Sequence, residues 1–190
     1  MSDYRHVISW VQNTPWAILP ATLHAMVDLL AFRAAGGTLT AEETRERIGA
    51  GPNRRTGRVE GSVAVLPLYG VLNQRVAPIE EDSGATSLER WGGVLRQLVA
   101  DPSIGAIVLD IDSPGGSVFG VAELADEIFR ARAVKPVVAV ANSLAASAAY
   151  WIGSAASELV VTPGGMVGSI GVLAAHEDLS ARLEQEGVKV

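Results

Sequence analysis

The spacing of apolar positions changes character near residue 60. Before it, Leu23, Met26, Val27 and Leu30 fall on one face of a helix that Gly36-Gly37 brings to an end. Thr40 and Glu43 have the spacing of a reciprocal N-terminal cap, which predicts a second short helix running to about Ile48 and stopped by Gly49. Residues 1–48 thus read as a helical N-terminal appendage. Trp10 and Trp16 are candidates to fix it to the body or to a neighbouring subunit, with plain core packing as the default for both. Residues 49–61, rich in Gly and Arg, read as a linker.

From Ser62 onward short apolar runs alternate with amphipathic stretches. Strands are expected at 62–68, 105–111, 136–142 and 158–162, and helices at 119–132 and 146–156. A further helix is capped by Thr86 with Glu89 and turns Leu88, Trp91, Leu95 and Leu98 inward. A polar loop at 73–86 carries Glu80-Glu81-Asp82. Strands alternating with helices of these lengths predict an α/β fold with a parallel sheet and right-handed crossovers.

Two of the strand ends carry candidate chemistry. After 105–111 comes Asp112-Ser113-Pro114-Gly115-Gly116-Ser117, where a tight turn would present bare glycine N–H groups at the carboxyl edge of the sheet. After 136–142 comes Ser143-Leu-Ala-Ala-Ser-Ala-Ala-Tyr150, in which Ser147 would sit in the first turn of a helix among unpaired N–H groups. The same small residues also suit a tightly packed turn with no chemistry. Asp110 and Asp112 are two apart on a strand, and Asp112 is expected to cap the glycine turn.

In order and spacing, Asp112-Ser-Pro-Gly-Gly-Ser117, Ser143 to Tyr150 and Gly168-Ser-Ile-Gly-Val172 resemble the S49 peptidases, the signal peptide peptidase A family. The likeness covers about residues 60–190 and is greatest to the soluble, protease C-like members of phage and prophage head modules. One departure is Ala148-Ala149 where many members have Gly-Gly. The resemblance implies a ClpP/crotonase-like superhelix of ββα units, with residues 62–190 as the peptidase domain. It implies Ser147 as nucleophile, the N–H groups of Gly116 and Ala148 as oxyanion donors, and Gly115, Ser117, Gly168, Ser169 and Ile170 along a peptide-binding groove. For Gly168 to Gly171, a glycine-rich turn between strands is the equal alternative.

The family's general base is a lysine. Lys135 opens the strand leading to Ser147 and so lies at its far end, while Lys189 enters a strand just as the sequence stops. The expectation is a chain incomplete at Val190, with the lysine further on and residues 1–190 inactive alone. His176 is a competing base, with a structural or capping role preferred.

Composition narrows the rest. With no Cys, disulfides and thiolate catalysis are excluded, and three scattered His make a metal site an unpromising reading. The net charge is −6, and residues 61–190 carry 15 acidic against 8 basic side chains, which disfavours nucleic-acid binding. Arg54, Arg55 and Arg58 read as a solvated linker. Trp16 to Phe32 is broken by Pro20, His24 and Asp28, so no membrane anchor or signal peptide is read there. The expectations are a serine endopeptidase without cofactor, acting on peptide or protein substrates. It is expected to be a homo-oligomer in the cytoplasm or a phage prohead. The alternatives are an inactive scaffold or assembly module, and a crotonase-type acyl-CoA enzyme.

Overall fold

The computed structural model describes residues 5–48, 57–76 and 84–174. Arg54, Arg55, the Glu80-Glu81-Asp82 loop, His176 and Lys189 lie outside the described residues.

The N-terminal part folds as α1 (Arg5–Asn13), β1 (Trp16–Ile18), α2 (Pro20–Ala34) and α3 (Ala41–Arg47). Pro20 supplies a helix start without needing an N–H partner. The expected cap of α3 is present in both directions: Glu43 N–H donates to Thr40 Oγ1, and Thr40 N–H donates to the Glu43 carboxylate. The strand β1 inside this region has no counterpart in the apolar periodicity.

The body contains β2 (Arg58–Glu60), β3 (Val63–Asn73), β4 (Thr86–Ser87), α4 (Leu88–Ala100), β5 (Ala106–Ser117) and α5 (Val121–Ala131). It continues with β6 (Val137–Ala146), α6 (Ala148–Ser154), β7 (Glu158–Val161) and β8 (Met166–Gly168). The sheet runs β2-β3-β5-β6-β7, with β3, β5, β6 and β7 parallel. This is the expected α/β architecture. Residues 58–60 are paired strand, not linker, because Arg58 to Glu60 lie antiparallel to Val63 to Val65. The cap of α4 is one residue later than expected: Ser87 accepts from Arg90 N–H, while the Thr86 hydroxyl is spent on the Tyr69 carbonyl.

Strand alternation sets the core. Leu66 and Leu68, Ile107, Leu109 and Ile111, and Val137, Ala139 and Ala141 point to one face, where Trp91 and Leu95 of α4, Ile128 of α5 and Ile152 of α6 cover them. A second cluster joins Val11, Trp16, Ile18 and Leu23 to Val71 of β3. Trp16 is fully buried and its indole N–H donates to Val11 O at 2.9 Å, so it anchors the N-terminal helices to the sheet. Trp10 packs edge-on against it and is itself exposed.

Candidate functional site

The site forms where β5 and β6 overrun the regular sheet. Their register is even up to Ile111 and Ala141 and resumes at Ser113 and Ala145, so β6 spends two more residues than β5 between these pairs. That excess bends β6 and carries Ala146 to the corner occupied by Gly115. A Cβ built on Gly115 would come 3.0 Å from Ala146 O and 2.2 Å from Ala17 O, and the residue has φ 98°. Only glycine combines that backbone with that crowding.

Ser147 stands between β6 and α6. It is the residue before the helix rather than one inside its first turn, which corrects the expected placement. Its backbone has φ 52° and ψ −112°, a region that non-glycine residues rarely occupy. Such a strand-to-helix elbow is how a serine hydroxyl is held proud of a sheet. The Ser147 N–H donates to Gly168 O at 2.7 Å, and its hydroxyl donates to Gly171 O at 3.2 Å. Gly168 in turn pairs with Ala146 through β8. The Gly168-Ser169-Ile170-Gly171 segment therefore wraps the serine, with Ile170 largely exposed beside it.

The two expected oxyanion donors differ. Ala148 opens α6, so its N–H has no partner within the helix. Gly116 is not in a tight turn but in continuous β5, facing Leu72 on one side and Ala17 on the other. The bonds Val118 N–H to Pro15 O at 3.1 Å and Leu19 N–H to Pro114 O at 2.9 Å fix the antiparallel alternation. By that alternation Ala17 and Gly116 exchange both N–H···O=C bonds, so Gly116's N–H points at Ala17's carbonyl. Gly115's N–H is taken by Ser113 Oγ at 3.1 Å, and Ser113's hydroxyl donates to Gly70 O at 2.6 Å. Ser113, not Asp112, caps this corner. Serine's habit of binding the N–H two residues on was the available signal. Ser117 is buried and lies opposite Trp16 in the β1–β5 pairing.

The acidic pair lies on the sheet face opposite the main core. Asp110 accepts from the Tyr69 hydroxyl and, at 3.1 Å, from the Asn142 amide; Asp112 accepts from the Ser143 hydroxyl at 3.1 Å. Burial pushes the Asp112 carboxyl above the usual range; the Ser143 bond opposes this and neighbouring Asp110 adds to it. Lys135 sits at the far end of β6 with its ammonium donating to Leu98 O at 2.9 Å and to Asp101 O. Ten residues of strand separate it from Ser147's side of the sheet. Among the described residues no group of His, Asp and Glu is arranged to hold a metal ion. No helix among them is long and apolar enough to cross a membrane.

Known proteins resemble this chain over part or most of its length. Residues 130–190, which include Ser147 and the Gly168 to Gly171 segment, match Peptidase family S49. Capsid assembly protease C of Escherichia phage lambda is 36% identical over 97% of this chain and 46% of its own length. Head-tail preconnector protein GP5 of Enterobacteria phage P21 is 34% identical over 97% of this chain and 40% of its own. The chain thus spans less than half the length of these two relatives. A probable enoyl-CoA hydratase/isomerase from Mycobacterium abscessus superimposes with a TM-score of 0.44 at 19% identity, covering 60% of this chain and 45% of that one. Through residues 130–190, then, the chain matches peptidase family S49.

Proposed function

We propose that Ser147 is the nucleophile of an S49-type serine peptidase acting on extended polypeptides. The observation that carries this reading is the strained elbow at Ser147, wrapped by Gly168 to Gly171 and set against the Gly115 corner. The hydroxyl would attack the scissile carbonyl, and the N–H of Ala148 would bind the oxygen as it gains charge. A substrate strand would lie along Gly115 to Ser117 and, on its other edge, Gly168 to Ile170 and beyond. The base that removes the serine proton would be a lysine supplied from outside the described residues. Phage relatives named for capsid assembly and head-tail connection make head maturation the fitting role, as a homo-oligomer.

A fluorophosphonate probe tests the nucleophile. Labelling of the full-length natural polypeptide, lost in Ser147→Ala, is the expected result. Absence of labelling in a folded protein would overturn it.

A second reading, a non-catalytic assembly module, is favoured by two observations. Ser147's hydroxyl donates to a backbone carbonyl, and Lys135 is tied down at the other end of the strand. That reading expects no probe labelling and no cleavage. The crotonase-type alternative expects hydration of an enoyl-CoA, which a spectrophotometric assay decides.

A further inference from the structure

The groove along Gly115 to Ser117 contains part of the chain itself. Trp16, Ala17 and Ile18 lie antiparallel to Ser117, Gly116 and Gly115. Their other edge is bonded as well: Trp16 N–H donates to Leu173 O at 2.8 Å, and Leu173 N–H donates to Trp16 O at 2.7 Å. Two residues further along both chains are Ile18 and Gly171, and Gly171's carbonyl is the group that receives the Ser147 hydroxyl. A three-residue strand bonded on both edges, beside Ser147, occupies the position an added peptide strand would take. Gly116's N–H, expected to hold a substrate carbonyl, holds Ala17's.

We infer that residues 15–19 are a resident peptide in the substrate groove, which a substrate must displace and whose side-chain pattern the substrate must share. The inference rests on the peptide-hydrolase reading above. The side chains define the class. Trp16 and Ile18 point together into the second cluster with Val71, Leu23 and Leu173, while Ala17 points into the main core. The groove therefore selects an extended, uncharged segment with a small residue between two large apolar ones. Pro15 and Pro20 bracket the resident strand. Proline has no N–H to extend a ladder, so the pairing stays short and open to exchange.

Two variants in a Ser147→Ala background test this, so that binding is read without cleavage. Trp16 and Ser117 form a non-hydrogen-bonded antiparallel pair, whose spacing of about 4.5 Å is within disulfide range, and residues 1–190 contain no Cys to compete. In Trp16→Cys/Ser117→Cys the oxidised form should not bind a fluorescein-labelled peptide copying residues 14–20, and reduction should restore binding. Ala17→Pro removes one ladder bond and should bind the same peptide roughly tenfold more tightly than its parent. Should the double variant fail to fold, Ala17→Pro decides alone. Peptide binding that is indifferent to oxidation, or no tighter in Ala17→Pro, overturns the inference. Redox-gated binding without hydrolysis by the Ser147 protein would instead overturn the peptidase reading and leave the groove assignment standing.

Discussion

Replacing Gly116 by alanine tests the sheet on which the whole site is built. A Cβ there would stand 1.8 Å from Leu72 O and 2.5 Å from its carbonyl carbon. Both are backbone atoms of a paired strand, so neither can swing aside. Ordinary contact begins at 3.4 Å, so β3 and β5 would have to part locally by about 1.6 Å. A ladder bond stretched that far is broken. Two such bonds at about 1 kcal/mol each, with a further ~1–3 kcal/mol for a buried group left without a partner, give a loss of roughly 3–5 kcal/mol. Domains of this size are stable by about 5–15 kcal/mol, so a large part of the margin goes. Urea unfolding followed by the fluorescence of buried Trp16 and Trp91 reads this directly. The midpoint should fall sharply with the slope unchanged. A loss under about 1 kcal/mol would mean that Leu72 and Gly116 do not approach as described, and the register around the site would be wrong with it.

Other outcomes follow from the same geometry. Ser147→Gly and Ser147→Ala both lack the hydroxyl and should both abolish probe labelling. Glycine also relieves about 1–3 kcal/mol of backbone strain against ~0.5–1 kcal/mol of lost chain freedom, so it should melt above the alanine variant by a margin of roughly 1 kcal/mol. Equal melting would mean an unstrained elbow. Asp112 is held above the ordinary value of 3.8, mainly by burial, so the folded chain binds its proton more tightly than the unfolded one. Ionised Asp112 therefore costs stability at neutral pH, and the cost fades as pH falls through the raised folded value towards 3.8. Asp112→Asn should be more stable than wild type at pH 7, by less than about 1 kcal/mol after screening, and no more stable near pH 3. A gap that stays constant across thermal melts from pH 3 to pH 7 would refute this.

The α/β body was legible because its strands are apolar runs of about the right length between capped helices. Ile107, Leu109 and Ile111 show the alternation in its simplest form, and the α5 and α6 boundaries move by only two residues. What escaped was decided by contacts distant in sequence. Strand β1 opens the apolar stretch Trp16 to Phe32, in which only the Leu23 to Leu30 spacing was assigned to an element. The signal was the Pro15 to Pro20 interval, in which Leu19 is pushed to extended backbone by the proline after it. Its pairing with Gly116 depends on residues a hundred positions away, which no local pattern reports. The glycine corner was misread for a related reason. Ser-Pro-Gly-Gly has turn chemistry, but β3 on one side and β1 on the other keep it within the sheet despite the positive φ of Gly115. Ser147's place at the sheet edge was legible from its small neighbours; its backbone strain was not.

What separates Ser147 from Ser113, Ser117 and Ser143 is how loosely its hydroxyl is committed. Ser113 is fully buried, donates to Gly70 O at 2.6 Å and accepts from Gly115 N–H, so removing its proton would undo the corner it caps. Ser143 also has positive φ, but its hydroxyl is given to the Asp112 carboxylate on the other sheet face. Ser117 is buried and paired edge to edge with the resident strand. Among the described residues the Ser147 hydroxyl makes one bond, 3.2 Å long, to a carbonyl in a segment that Ile170 leaves open to solvent. Exchanging that bond for one to a base needs no rearrangement of the sheet, because the Ser147 N–H to Gly168 bond holds the elbow independently of the hydroxyl. A nucleophile must be fixed in its backbone and free in its side chain, and among these four serines only Ser147 meets both conditions.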